Sequence, residues 1–99
     1  MTAAAAILLA AITVAPADRL SLADRLFNRG EYTTARTEYG ALVGVTGVAA
    51  DDVAYRLAEC ERALGRNAEA RAAYKKLIAA HPTSRHLHRA MLMSALCGT

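Results

Sequence analysis

Three histidines, His81, His86 and His88, are the first residues to suggest a metal or a reaction. Zinc sites want ligands presented together, as at i and i+4 on one helix face. His86 and His88 stand at i and i+2, which turns them apart on a helix, and no cysteine or carboxylate shares their turn. His81, just ahead of Pro82, suits a helix C-terminus, where a partly cationic imidazole opposes the dipole. Two acid pairs are candidate general acids and bases. Asp51-Asp52 falls at a predicted helix start, where carboxylates belong for capping and dipole reasons. Glu59 and Glu61 are again i and i+2 and look to different faces. Nothing resembles a nucleophile paired with its base, and Gly44 and Gly47 are not followed by the Lys-Ser/Thr of a phosphate loop. Cys60 and Cys97 make no disulfide framework and read as small buried hydrophobes. The expectation is a chain with no catalytic residues, no cofactor and no metal ligand set.

The elements that carry these residues are predicted to be helices. Of the 99 residues, 55% are hydrophobic, much of that alanine, with 5% aromatic and no Trp. Small residues at this density suit helices that approach closely within one small domain. The net charge of +3 is unevenly spread: residues 18–64 sum to −2 and residues 65–99 to +5. An acidic partner or simply a solvated basic face would account for the positive half. A nucleic-acid partner is not expected, because the aromatic among those basic residues, Tyr74, is assigned to packing.

Residues 1–17 stand apart. Ala3 to Val14 carries no charge, and Ala15-Pro16-Ala17 follows as a small-x-small arrangement suited to signal peptidase before Asp18. The apolar run is shorter than the about 20 residues a membrane span requires. It reads as an export signal, or as a retained apolar helix packed on the domain, and no stable transmembrane span is expected.

The remainder repeats at a period of 35 residues. Leu22-Ala23 returns as Leu57-Ala58, Gly30 as Gly65, Ala35-Arg36 as Ala70-Arg71, Tyr39 as Tyr74 and Leu42 as Leu77. A repeat of this length implies stacked supersecondary units. Each unit reads as helix–turn–helix: glycine ends the first helix by entering the left-handed region, and alanine lets the second helix approach. Tyrosine, one turn later, fills the wedge, and Pro82 closes the second unit. Asp51 or Asp52, Asn67, and Thr83 or Ser84 are the predicted N-caps. Arg85 to Cys97 reads as the first helix of a third unit, with Ala54 and Leu57 returning as Ala90 and Met93 at a spacing of 36. Leu87, Met91, Leu92, Met93 and Leu96 put apolar side chains on both sides of that helix, which implies either a cut end or a self-association surface.

These residues resemble the tetratricopeptide repeat, with its Leu-Gly pair, later Gly, Ala, aromatic four residues on and closing Pro. The resemblance implies an all-α fold, an α–α solenoid of antiparallel helix pairs with two full repeats, 18–43 and 51–82, and a partial third, 84–97. It also implies a concave groove for a protein or peptide partner, lined here by Asp24, Phe27, Asn28, Tyr55, Glu59, Arg62, His88 and Met91. The chain is similar to repeat regions of bacterial envelope proteins such as the Tol–Pal-associated cell-division coordinator or the outer-membrane assembly lipoprotein of the BamD kind. That similarity implies a secreted or periplasmic scaffold. A cytoplasmic or membrane-associated adaptor that keeps its N-terminal helix, and a regulatory fragment of a larger enzyme or sensor, are the other two readings.

Overall fold

The structure, a computed structural model, describes residues 14–98, so nearly all of the apolar leader lies outside the described residues. Five helices follow one another, α1 (Pro16–Asn28), α2 (Tyr32–Ala41), α3 (Ala50–Ala63), α4 (Asn67–Ala80) and α5 (Leu87–Cys97), with no strand among the described residues. Each helix packs on its neighbours in sequence, which is the arrangement of a stacked helical repeat. No helix among the described residues is long and apolar enough to cross a membrane.

The turns within the two units are alike. Gly30 takes φ +81°, its N–H donates to the Phe27 carbonyl, and the Glu31 N–H donates to the Leu26 carbonyl at 2.9 Å. Thirty-five residues later Gly65 takes φ +78°, with Gly65 N–H on the Arg62 carbonyl and Arg66 N–H on that of Glu61 at 2.8 Å. Both are Schellman turns, which satisfy the last carbonyls of the helix and reverse the chain in two residues.

Alanine sets the distance between helices. Ala23 and Ala35 in the first unit, and Ala58 and Ala70 in the second, are all 0% exposed. Tyr39 closes one cluster with Ala23, Ala35 and Cys60, and Tyr74 closes the other with Tyr55, Ala58, Leu77 and Ala90. Cys60 therefore belongs to α3 but packs on the unit before it. Ala90 brings α5 onto the second unit in the same way. Burial pushes the Cys60 thiol up to about 11, reinforced by the Glu61 charge, so this cysteine is a small hydrophobe.

The predicted N-caps are corrected. The residues at the N-cap positions of α3, α4 and α5 are Ala49, Arg66 and His86, and none makes a side-chain capping bond. Asp51 and Asp52 lie inside the first turn of α3, where their charge still favours the helix dipole but their oxygens point at another unit. Leu22 is 41% exposed, whereas its counterpart Leu57 packs on the first cluster. The difference is positional: Leu57 has a preceding helix pair to lie against. On α5, Met93 joins the second cluster while Met91 and Leu92 stay more than half exposed, as two-sided apolarity requires.

Glycine chemistry gives a paired prediction. A Cβ at Gly65 would meet nothing within 4 Å, so Gly65→Ala should cost only the left-handed backbone penalty, about 1–2 kcal/mol. Gly40, inside α2 and equally uncrowded, should instead gain about 0.5–1 kcal/mol as alanine. Urea unfolding followed by circular dichroism measures both.

Candidate functional site

One tyrosine–carboxylate bond ties each helix pair together. In the first unit the Tyr39 hydroxyl on α2 donates to Asp24 on α1. In the second, Tyr74 on α4 donates to Glu59 Oε1 on α3 at 2.5 Å. Arg62 completes the second set by donating to Glu59 Oε2 at 2.9 Å. Burial alone would raise the Glu59 carboxyl, but the bonds from Arg62 and Tyr74 outweigh it and hold it below the usual glutamate range. Both tyrosine hydroxyls are pushed far up, first by burial and then by the carboxylate each one faces, so they act as donors.

The units are then joined by ion pairs. Glu61, at the end of α3, pairs with Arg36 on α2 and with Arg66 at 3.4 Å across the turn. Asp52, at the start of α3, accepts from Arg85 at 3.0 Å and lies 2.6 Å from His86 Nε2. Ser84 donates to Asp51 Oδ2 at 2.6 Å, which holds that carboxyl below the usual aspartate range. Asp51, Asp52 and His86 bring ligand atoms within 4.8 Å of one another, close enough to share an ion. An oxygen of each carboxylate is already taken by a protein donor, and the Arg85 guanidinium beside Asp52 opposes a second cation. The trio acts as a latch between α3 and the turn that leads into α5.

Above these joints runs a ladder of aromatic and cationic groups. Tyr32 meets Phe27 edge-on at 5.2 Å, and the Arg56 guanidinium lies 5.2 Å from the Phe27 ring centre and 5.9 Å from that of Tyr55. Tyr55 then stacks on His86 at 4.2 Å with the rings 3° from parallel. The ladder connects α1, α3 and the N-cap of α5, one rung from each unit. Asp24 holds Arg56 over it at 3.8 Å.

The sequence-predicted groove residues are only partly gathered here. Asp24, Phe27 and Tyr55 meet through Arg56. Asn28 is exposed beside Phe27, and Arg62 is half-buried on Glu59. Glu59 is 5% exposed and Tyr55 8%, so both are spent on packing and hydrogen bonding. His88 is exposed on α5, while Met91 lines a trough with Arg71 and Lys75 that includes none of the ladder residues. Sequence spacing missed Arg56 and His86, whose partners lie 29 and 34 residues away. It also missed an apolar cavity of about 490 Å³ between the α2–α3 loop, the start of α3 and the end of α4, lined by Leu42, Val45, Val53, Leu57 and Leu77.

The sequence model of a family described as tetratricopeptide repeat matches residues 20–85, two thirds of the chain. No curated protein matches it.

The depressed carboxyls set an acid limit on stability. A carboxyl whose folded pKa lies below its unfolded value contributes stability above the unfolded value and loses it as pH falls through the folded one. Glu59 and Asp51, with ordinary values of 4.5 and 3.8, are such groups. The melting temperature should therefore hold near neutral pH and fall once pH drops below about 4.5. Glu59→Gln should lower the neutral-pH melting temperature and flatten that acid slope, read by circular dichroism melts across pH.

Proposed function

Because the chain belongs to the tetratricopeptide repeat family, we propose that it is a non-catalytic binding module. Its partner is a peptide or helix of another protein, laid across the face formed by α1, α3 and the start of α5. Repeats of this family generally mediate protein–protein interaction. The observation that carries the reading is the ladder of Phe27, Arg56, Tyr55 and His86. It runs from unit to unit along the side of the first helices, and it combines rigid aromatics with arginine, the types that anchor protein interfaces. Tyr55 is too deeply packed to serve as a free anchor, so contact falls on the half-buried Phe27 and Arg56 and on exposed Asn28.

Export to a bacterial envelope is the accompanying proposal, supported by the uncharged Ala3–Val14 and the small residues after it. A retained N-terminal segment is favoured by a different observation. α1 already includes Pro16 and Ala17, and Arg19 N–H donates to the Ala15 carbonyl at 2.9 Å, so cleavage before Asp18 would remove its N-cap and first two residues. Intact mass of the purified native protein separates the two: a chain beginning at Asp18 supports export, and one beginning at Met1 or Thr2 contradicts it.

A photo-crosslinking amino acid placed at Asn28 should capture a protein partner in cells, and one placed at exposed Ala79 on α4 should not. Arg56→Ala should weaken capture from position 28 about tenfold. Equal capture from both positions, or capture indifferent to Arg56, would remove the ladder face as the binding site.

A further inference from the structure

The far side of α5 carries a second surface that the ladder does not use. A trough runs between α4 and α5, floored by Ile78, Met91 and Ala95 and edged by Arg71 and Lys75. Met91 is 52% exposed, and Leu92 beside it is 54% exposed, so the apolar floor continues across the outer face of α5. The two cations have no carboxylate partner among the described residues. The single acidic residue after Gly65 is Glu69, and it pairs with Arg66 at 3.6 Å.

The repeat explains why those charges are left over. Arg36 on α2 reaches forward to Glu61 on the next first helix. Arg71 is its counterpart one unit later. The α5 residue corresponding to Glu61, at the 36-residue spacing that relates Leu57 to Met93, is Cys97. The cation of the joint is kept while its carboxylate is gone. Lys75, one turn along α4, adds a second positive charge on the same edge. An apolar floor flanked by two cations without a carboxylate partner among the described residues fits a ligand that brings both an apolar stripe and its own carboxylates.

We propose that the trough between α4 and α5 docks an acidic amphipathic helix of a partner protein, its apolar stripe on Ile78, Met91 and Leu92 and its carboxylates on Arg71 and Lys75. A second copy of this chain is a poor occupant. Asp24, Glu38, Asp51, Asp52, Glu59, Glu61 and Glu69 are already engaged within their own molecule. Asp18 and Glu31, the two acids that remain, sit in the first turn of α1 and at the N-cap of α2, and make no acidic helix face. The exposed cations Arg25 on α1 and Arg29 at its C-cap would repel the cations of the trough if brought to it.

The test uses a fluorescent synthetic helix with leucines on one face flanked by glutamates, and a counterpart with lysines in place of the glutamates. Fluorescence anisotropy with the full chain should show the acidic helix binding at least about tenfold more tightly than the basic one. Raising the salt from about 0.05 to about 0.5 M should erode that preference. R71E/K75E should reverse it, Met91→Ser should weaken both helices, and Arg56→Ala should leave binding unchanged, which keeps the result independent of the ladder face. Circular dichroism confirms that each variant is folded. The proposal is overturned if the acidic helix does not bind, if acidic and basic helices bind alike, or if folded R71E/K75E keeps the wild-type preference. It is equally overturned if sedimentation shows a dimer that Met91→Ser dissolves, since the face would then belong to a second copy.

Discussion

The bond between Tyr74 and Glu59 is the constraint on which the second helix pair depends. A carboxylate buried to 5% exposure is costly unless each oxygen is paired, and here one accepts from Tyr74 and the other from Arg62. With both bonds made, the tyrosine ring is fixed in the wedge between α3 and α4, where Ala58 and Ala70 leave room for it. A bond of this charged kind contributes about 1.5–3 kcal/mol. That is a large share of what a small repeat domain has to spare. The first pair repeats the device with Tyr39 and Asp24, though there the carboxylate is 43% exposed and also restrains Arg56. One interaction thus serves packing in the second unit and positions a surface group in the first.

Charge distribution follows from the way units are joined. The acids of α3 are drawn to both neighbours, Glu61 backward to Arg36 and Asp52 forward to Arg85 and His86. Most acids are thereby paired within the fold, while Arg71 and Lys75 on α4 keep no carboxylate partner among the described residues. The aromatic ladder arises from the same joints. His86 lies beneath Tyr55 because Asp52 holds it there, and Arg56 lies over Phe27 because Asp24 restrains it. Structure and recognition share these groups, so a substitution in the ladder acts on both unless the side chain is half-exposed, as Arg56 is.

Period and packing were legible in the sequence. Gly30 and Gly65, the four alanines and the two tyrosines each have a backbone or steric reason to recur at 35 residues, and each sits where that reason requires. The carboxylates were legible in principle too, since Asp24 and Glu59 precede Tyr39 and Tyr74 by the same 15 residues. Family resemblance places both on the groove face, and their bonds to buried hydroxyls are not readable from charge on a first helix alone. The caps were misplaced for a related reason: Asp51 and Asp52 have better partners in another unit than the local N–H groups. His86 and Arg56 had no readable signal, because their partners are set by how one helix pair stacks on the next and no local spacing encodes that.

If the tyrosine–carboxylate bond couples the two helices of a pair, Glu59 and Tyr74 must depend on each other energetically. A double-mutant cycle with Glu59→Gln, Tyr74→Phe and the two combined, each unfolded in urea at neutral pH, measures this dependence. A coupling of about 1.5 kcal/mol or more is predicted, with the second substitution costing little once the first is made. Losses that add to within about 0.5 kcal/mol would contradict it and leave the buried tyrosine as packing alone.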